Sequence, residues 1–395
     1  MLIAGMDRHG SWPTMSSARR SVIGNRADHG DAGAGDPEAG SIGFRLALPV
    51  SHSHPSRLAY LDGWRGLSII VVLAGHFLGN ILLALGHLGV EMFFVLSGRL
   101  MAQILFVEQF PLREFYRRRI ARILPAMTAF IAISLVVFHY DPYLGARLKL
   151  AIASQALVYN FVGAAGHRSP VFDHVWSLCI EEHSYILLAI LAWMVRRGRM
   201  TLRPALLVIA ALSMLDGIFS ELVLRQGWFT AYWRTDAHIA SIVVSAWLFL
   251  TLRDRRPVPA WISPASAVLG ISTFANGTPE YLYVTVGTSL LAIAVATLDT
   301  TWSGIRAILS MRVLTMAGTL SYSVYLWQQP FYQIAVWKLR LPPGWAVCFL
   351  IPAVACGIMS YVLVERPCRR WLNSLDLPMV PRRPVPRATG AVADH

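Results

Sequence analysis

Residues 113–140 read REFYRRRIAR and then ILPAMTAFIAISLVVFHY, and this stretch decides the fold class. Five of its first ten residues are arginine, whereas its last eighteen contain no Asp, Glu, Lys or Arg. An uncharged apolar run of about that length predicts a helix that spans a lipid bilayer. Arginines beside such a run predict a cytoplasmic loop, since Lys and Arg accumulate on that side. We therefore expect a membrane helix that begins in the cytoplasm and runs outward.

The whole chain has the composition of a membrane protein. Of its 395 residues 55% are hydrophobic and only 14% are charged, whereas a soluble domain carries about a quarter charged residues. The net charge of +13 is of a size that can indicate nucleic-acid binding. Here, however, the arginines lie in short loops between apolar runs, which is typical of membrane topology. We predict a lipid bilayer as the surroundings and no nucleic-acid partner.

Ten apolar runs predict ten spanning helices, and arginine clusters orient them. Clusters follow the runs that end near 195, 252 and 364, which predicts a cytoplasmic loop at each of these ends. The predicted spans are 66–85, 88–108, 123–140, 173–195, 204–222, 237–252, 259–274, 280–298, 313–335 and 343–364.

The directions of the neighbouring helices then decide how to interpret the eleventh apolar run, residues 148–165. Since 123–140 runs outward and 173–195 runs back to its own arginine cluster, a single crossing between them is excluded. We predict an all-α polytopic membrane protein of about ten transmembrane helices, with 148–165 as a re-entrant or interfacial segment. Both termini are predicted to lie on the cytoplasmic side of a bacterial inner (plasma) membrane.

The two ends of the chain differ from the rest. Residues 1–56 include a stretch rich in Gly, Ala and Asp with little to bury, which predicts a disordered cytoplasmic extension. No apolar segment of the signal-peptide kind lies near the start. Residues 57–372 form the predicted membrane domain, and 373–395, rich in Pro and Arg, are a predicted disordered cytoplasmic tail. The four cysteines have no metal-ligand spacing, so we predict no metal.

Arg65 and His76 are the ionisable pair of the first predicted helix. They are eleven residues apart, which returns them to nearly the same helix face with a rise of roughly 16 Å. An arginine at the cytoplasmic edge suits a phosphate-bearing ligand, and an imidazole deeper in the membrane suits proton abstraction from a hydroxyl. The alternative is an interfacial arginine and a histidine that only packs against a neighbouring helix.

Glu181 and Glu182 lie on the 173–195 helix at a predicted depth close to that of His76. A carboxylate beside the imidazole would orient the ring and stabilise its charged form. Adjacent helical residues point about 100° apart, so we expect only one of the two to face a given neighbour. The alternatives are a salt bridge between helices or a proton-coupled transport site.

Arg119 and Arg122 lie one helical turn apart, with Arg117 in the same cluster. Arginines at this spacing could clamp phosphates, although the same charges could serve only to set the topology.

Three further residues lie near the predicted outer face, namely Glu91, Arg234 and Asp236. An arginine on the outside runs against the usual charge distribution, so we predict that it binds a partner or an acceptor. The alternative for Arg234 and Asp236 is a local ion pair.

Taken together, these motifs resemble the acyltransferase-3 family of bacterial integral membrane enzymes, which O-acetylate surface polysaccharides, lipopolysaccharide, lipo-oligosaccharides and some antibiotics. The resemblance covers about Arg57 to Trp371. The motifs that carry it are Leu61-Asp62-Gly63-Trp64-Arg65-Gly66, the spacing from Arg65 to His76, Gly89-Val90-Glu91-Met92-Phe93-Phe94-Val95-Leu96-Ser97-Gly98, Tyr116-Arg117-Arg118-Arg119 through Pro125, Ser177-Leu178-Cys179-Ile180-Glu181-Glu182, Arg234-Thr235-Asp236-Ala237, Ser321-Tyr322-Ser323-Val324-Tyr325-Leu326-Trp327 and Glu365-Arg366-Pro367.

The resemblance implies that His76 is the catalytic histidine, and that Arg65 and the Arg117–Arg122 cluster bind the donor. The chain departs from the family's pattern at several places, one of which is Glu91, where the family frequently has Asp. His183 follows the two glutamates where the family usually has Gln, which adds a second candidate imidazole. Gln328 follows Leu-Trp where many members have His, so we expect no proton transfer there.

The predicted activity is transfer of an acyl group from an acyl-CoA, for which we expect acetyl-CoA, to a hydroxyl of a carbohydrate or glycolipid acceptor. Direct transfer assisted by His76 and a covalent relay through His76 both fit. The alternative from another class is a non-enzymatic transporter or flippase for a lipid-linked glycan, which would use the same charged cleft to pass its substrate.

Overall fold

The computed structural model describes residues 59–254 and 258–375, without the side chains of residues 228 and 229. The predictions for residues 1–56, and for all but the first three residues of 373–395, lie outside this range. Within it, helices are the only regular elements, apart from one bridge between Leu83 and Ala275. The predicted all-helical class is therefore confirmed.

Eighteen α-helices follow one another along the described chain. They are α1 (Ala59–Phe77), α2 (Leu85–Ala102), α3 (Leu112–Phe138), α4 (Leu148–Gln155), α5 (Tyr159–Ala164), α6 (Val175–Arg196), α7 (Leu202–Leu222), α8 (Trp228–Tyr232), α9 (Thr235–His238), α10 (Ala240–Leu252), α11 (Ile262–Ser272), α12 (Glu280–Leu282), α13 (Thr288–Ala296), α14 (Ser303–Leu309), α15 (Arg312–Tyr332), α16 (Pro343–Ala346), α17 (Leu350–Ser360) and α18 (Arg366–Ser374). Wider π-helical segments extend or join some of them, at Gln103–Val107, Tyr283–Gly287, Gln333–Lys338 and Tyr361–Glu365.

Six of the described helical segments are long and apolar enough to cross a membrane. A seventh would be formed by α14 and the segment Arg312–Lys338, if this pair, bent by 52°, is one span. The six segments are Leu85–Val107, Leu112–Phe138, Val175–Arg196, Leu202–Leu222, Thr235–Leu252 and Pro343–Ser374. The protein is thus a polytopic membrane protein, but the predicted count of about ten spans is not confirmed.

The predicted span 313–335 counts only as part of that bent pair. Three other predicted spans are helical but do not meet both the length and the apolarity of a crossing. The run 66–85 is only partly helical, because α1 ends at Phe77 and Gly79 then adopts a φ of +86°, whereas the first turns of α1, which starts at Ala59, include the charged Asp62. The run 259–274 gives only the eleven residues of α11. The run 280–298 forms one helix, Glu280–Ala296, which is shorter than the six segments.

Residues 148–165 are divided into two helices of eight and six residues, α4 and α5. Leu157 separates them with a φ of +58°. Neither helix approaches the roughly 20 residues that a crossing needs, in agreement with the predicted non-spanning segment. The Tyr159 hydroxyl ties α5 to the chain before α6, because it donates to Asp173 Oδ1 at 2.7 Å and accepts from the Ser169 N–H at 2.8 Å.

Reporter fusions test the topology at Gly145 and Gly166, which flank α4 and α5. Both glycines have a positive φ and open space around them, so an inserted reporter should not disturb the fold. Because neither helix can cross, we expect both fusions to report the side of the membrane opposite the cytoplasm. A cytoplasmic signal at Gly166 alone would contradict this arrangement, and a fusion after Arg197 serves as the cytoplasmic control.

Glycines bring α1 into close contact with its neighbours and so fix the positions of Arg65 and His76. A Cβ at Gly66 would lie 1.9 Å from the Leu314 carbonyl oxygen of α15, and one at Gly75 would lie 2.3 Å from the Gly86 nitrogen of α2. Small residues allow membrane helices to approach in this way. The result is that α1 lies between α2 and α15, which both contribute to the site.

Candidate functional site

A cavity of about 1280 Å³ lies between α1, α2, α3, α6, α15 and α18. Its lining includes five of the predicted site residues, namely Arg65, Arg117, Arg119, Arg122 and Glu181. Arg118 and Arg369 also line it, so six arginines face only two glutamates, Glu181 and Glu108. We call this space the arginine cavity. Its excess of positive charge suits a large ligand that carries several negative charges.

The remaining walls of the arginine cavity are largely apolar, with Val90, Phe93 and Phe94 of α2 among them. A pair of hydroxyls also lines it, because Ser177 Oγ and the Tyr325 hydroxyl oxygen are 2.6 Å apart. Ser177 lies near the beginning of α6, so helix rise separates it by roughly 28 Å from Arg196, where α6 ends. The cavity therefore combines charged groups with a wall that could receive an uncharged arm of a ligand.

Arg119 holds both predicted catalytic glutamates. Its Nε donates to Glu182 Oε1 at 2.7 Å, and its Nη2 donates to Glu181 Oε1 at 3.0 Å. The guanidinium also lies 3.7 Å from the ring centroid of Tyr185. The expectation that only one glutamate faces a given neighbour is wrong here, because the guanidinium fork is wide enough to bridge two adjacent carboxylates.

Glu181 has two further partners that the sequence did not indicate. Ser97 Oγ donates to Glu181 Oε1 at 2.9 Å, and the Tyr185 hydroxyl donates to the same oxygen. The carboxylate thus lies within a network formed by α2, α3 and α6. The expectation that Glu181 or Glu182 holds the His76 imidazole is not met, because both are bound to Arg119.

Gln328 takes the place that we expected a glutamate to have beside His76. The Nδ1 of His76 lies 2.8 Å from Gln328 Oε1, and the ring stacks on Tyr332 with centroids 4.3 Å apart and planes at 12°. Since a carboxamide oxygen only accepts, Nδ1 is the donor, and Nε2 of the neutral ring keeps its lone pair. Gln328 therefore orients the imidazole for accepting a proton at Nε2, although it brings no charge to stabilise the imidazolium.

His76 does not itself line the arginine cavity. The two are linked along α15, where Tyr325 lines the cavity and Gln328, one helical turn later, holds His76. The other imidazole singled out in the sequence, His183, does not line the arginine cavity. Its Nδ1 lies 2.7 Å from Thr235 Oγ1.

The arginines of the cavity differ in how much of their charge is already matched. Arg65 pairs with Asp62 at 2.7 Å. Arg117 pairs with Glu114 at 2.6 Å and also donates to the Leu375 carbonyl at 2.8 Å. The half-buried Arg122 guanidinium has no hydrogen bond or ion pair with another residue in the described part of the chain. Arg122 is therefore the cluster member best placed to bind an anion.

None of the three residues predicted near the outer face lines the arginine cavity. Glu91 is fully buried, where it binds the His238 Nε2 and accepts from Thr288 Oγ1 at 2.8 Å. Arg234 pairs with Asp236 at 2.5 Å and with Asp216 at 3.1 Å. The local Arg234–Asp236 pair that the sequence left open as an alternative is thus present.

The fold and the site define a class of protein: a helical membrane protein in which an arginine-rich cavity is linked through one helix to an oriented histidine. The family model of the acyltransferase-3 family, described as an acyltransferase domain, matches residues 58–362. The chain belongs to this family.

Three relatives are similar over most of this chain. The peptidoglycan O-acetyltransferase OatA of Listeria monocytogenes is 27% identical over 352 residues, which are 78% of this chain and 55% of the relative. The O-acetyltransferase OatA of Staphylococcus aureus is 25% identical over 80% of this chain and 58% of its own length. BcsY of Komagataeibacter xylinus, named "Putative membrane-bound transacylase", is 26% identical over 82% of this chain and 86% of its own length.

The chain spans little more than half the length of the two OatA relatives. No solved structure matches it.

Proposed function

We propose that the protein is a membrane-bound O-acyltransferase that moves an acetyl group from acetyl-CoA to a hydroxyl of a carbohydrate-containing acceptor. The observation that carries this proposal is the arginine cavity, in which six arginines face two glutamates. Membership of the acyltransferase-3 family supports the reaction class. The names of two relatives, which specify O-acetyl transfer, support acetyl as the group transferred.

Coenzyme A suits the arginine cavity by charge and by size. Its phosphates would bind the unpaired Arg122 and the arginines near it, because arginine is well suited to bidentate phosphate contact. Its long and mostly uncharged pantetheine arm would follow the apolar wall of α2. Because charged phosphates cannot enter hydrocarbon, we propose that the arginine end of the cavity and both termini face the cytoplasmic side of an inner membrane.

His76 would act as the general base. As the acceptor hydroxyl oxygen attacks the thioester carbonyl carbon, the Nε2 of His76 accepts the hydroxyl proton. The carbon–sulfur bond then breaks, and the proton passes from Nε2 to the departing thiolate. A covalent relay through His76 would use the same nitrogen as nucleophile, with the acyl group passing from sulfur to Nε2 and then to the acceptor.

The acceptor class is a carbohydrate or glycolipid, such as a surface polysaccharide, a lipopolysaccharide or a lipo-oligosaccharide. The printed name of the Listeria monocytogenes relative adds peptidoglycan to this class. We propose that the acceptor hydroxyl meets the acyl group near His76, since this ring is held apart from the arginines that would bind the donor.

Mass spectrometry of surface and secreted glycans tests the proposal. Cells that lack the gene should lose a mass of one acetyl group from at least one glycan, and a plasmid copy should restore it. A plasmid copy carrying His76→Ala should not restore it. Loss of a whole glycan from the surface, with its acylation unchanged, would instead support the transporter alternative.

Arg122→Ala is expected to weaken the affinity for acetyl-CoA about ten-fold or more, since a hydrogen bond to a charged group contributes roughly 1.5–3 kcal/mol. Arg122→Lys should recover part of the affinity, because it keeps the charge but loses the fork. Unfolding temperature should change little, because the guanidinium has no partner among the described side chains. Titration calorimetry on the purified protein measures the affinity. Arg203→Gln, a change at an arginine outside the arginine cavity, is the control.

Equal affinity for acetyl-CoA in wild type, Arg122→Ala and Arg122→Lys would mean that Arg122 contributes to topology alone. The charge distribution that sets membrane topology does not distinguish Lys from Arg.

A further inference from the structure

A second cavity, of about 640 Å³, lies beside the C-terminal part of α2 and is lined by Arg99. We call it the Arg99 cavity. Leu100, Gln103 and Glu108 line both this space and the arginine cavity, so the two are neighbours that share one wall. No residue predicted from the sequence to form the site lies in it.

Arg99 is an unusual residue to find at this depth. It is only 5% exposed, and its Nη2 donates to Asp299 Oδ1 at 2.5 Å. Its Nε and Nη1 are buried and have no acceptor within the described part of the chain. A charged group that leaves donors unsatisfied in a buried position costs free energy. Arg99 thus keeps two donors that no described residue satisfies.

Asp299 is the acid that pairs with Arg99, and its side chain is half-exposed. Its Oδ1 receives the Arg99 guanidinium and the Tyr60 hydroxyl, and its backbone oxygen accepts from Arg306 Nη1 at 2.9 Å. Arg306 and the hydroxyl-bearing Ser303 add further donors to the lining, which also contains the carboxylate of Glu108. A small anion would therefore bind Arg99 and Arg306 in competition with Asp299.

Two aromatic rings border Arg99 in this cavity. The Arg99 guanidinium lies 5.3 Å from the ring centroid of Phe249, and Tyr60 lines the same cavity. Both rings are buried, so they form an apolar border beside the charged groups and hold the guanidinium in place.

We infer that the Arg99 cavity is a second phosphate-binding site, which takes the phosphate monoester at the nucleotide end of the donor. The inference rests on the proposed function, in which the diphosphate and the pantetheine arm occupy the arginine cavity. The shared wall of Leu100, Gln103 and Glu108 allows one long ligand to contact both spaces. A phospholipid headgroup is another source of the same phosphate chemistry.

Acetyl-CoA and acetyl-3′-dephospho-CoA, which lacks this phosphate, form the matched pair of ligands that tests the inference. Titration calorimetry on the purified full-length protein gives the affinity ratio of the two. We expect wild type to bind acetyl-CoA about ten-fold more tightly than the dephospho form, the range for hydrogen bonds to a charged group. Arg99→Gln should bring the ratio close to one, and Arg99→Lys should give an intermediate ratio.

Asp299→Asn separates a phosphate site from a merely structural ion pair. It removes the negative charge beside Arg99, so it should keep or increase the affinity ratio even if it lowers the unfolding temperature. If the Arg99–Asp299 pair were only structural, Arg99→Gln and Asp299→Asn would change the ratio in the same way. Arg203→Gln breaks an exposed arginine–aspartate pair, with Asp254, outside both cavities and is the control for the loss of one positive charge.

Lipid nanodiscs provide the comparison that shows whether the bound phosphate belongs to a lipid headgroup or to the donor. If Arg99→Gln abolished stabilisation by phosphatidylglycerol while keeping the wild-type affinity ratio, a lipid would be the ligand and the inference would be overturned. An unchanged ratio without any lipid effect would overturn it as well. Failure of wild type to bind acetyl-CoA at all would overturn the proposed donor and this inference with it, which distinguishes the two failures.

Discussion

His76→Ala is expected to lower the rate of acyl transfer by about 10²–10⁴-fold, the range that a positioned general base contributes. The effect should be large because Gln328 fixes the ring through Nδ1 and leaves Nε2 as the atom that accepts the proton. The amount of protein in the membrane should stay close to that of wild type, since the main losses are one hydrogen bond and one ring stack with Tyr332. Donor-dependent acyl transfer by purified protein is the measurement.

His183→Ala is the matched control for that variant. His183 is the other histidine singled out by the sequence, but it binds Thr235 and stacks on Phe161 at 5.6 Å. We expect it to keep most of the activity. Near-wild-type activity in His76→Ala together with loss in His183→Ala would reverse the assignment of the base. Gln328→Leu should lower the rate by a smaller factor than His76→Ala, because Gln328 positions the ring and does not take the proton.

Arg119→Ala is expected to destabilise the protein by about 3–5 kcal/mol, the range for breaking a buried ion pair by removing one partner. Arg119 has a side chain only 12% exposed and holds both Glu181 and Glu182. Its removal takes away the guanidinium that both carboxylates share. Arg119→Lys should be less destabilising, although one ammonium cannot reproduce both contacts of the fork. Thermal unfolding in detergent measures the difference.

The double variant Glu181→Gln/Glu182→Gln tests the same network from the other side. Adding it to Arg119→Ala should recover part of the lost stability, because the uncompensated carboxylates are then gone. If Arg119→Ala unfolded at the wild-type temperature but bound acetyl-CoA weakly, Arg119 would be a donor ligand and not the support of the two glutamates. This outcome would contradict the role described here.

The sequence indicated the cavity's cations but not their partners. Arg65, Arg117, Arg119 and Arg122 stand out because they border apolar runs in a chain with only 14% charged residues, and all four line one cavity. The partner of Arg119 could not be found in this way, since Glu181 and Glu182 are more than 60 residues away in the chain. Helix periodicity relates residues within one helix and carries no information about which face of a distant helix lies opposite.

Gln328 illustrates the same limit more sharply. Its position was interpreted from the sequence as the loss of a proton-transfer group, yet it contacts His76 from 252 residues away. The predicted count of about ten spans is not confirmed for a different reason. Hydropathy measures how apolar a run is, but it does not show where a helix begins and ends, as α1 does at Phe77 within the run 66–85.

Label transfer in inside-out membrane vesicles tests the central claim most directly, because these vesicles present the cytoplasmic face to the added donor. Acetyl-CoA labelled in its acetyl group is added outside the vesicles, and label is then measured in the carbohydrate fraction. The account predicts that wild-type vesicles transfer the label to carbohydrate and that His76→Ala vesicles do not, at equal amounts of protein. Equal labelling with both proteins, or no use of the donor by wild type, would contradict it.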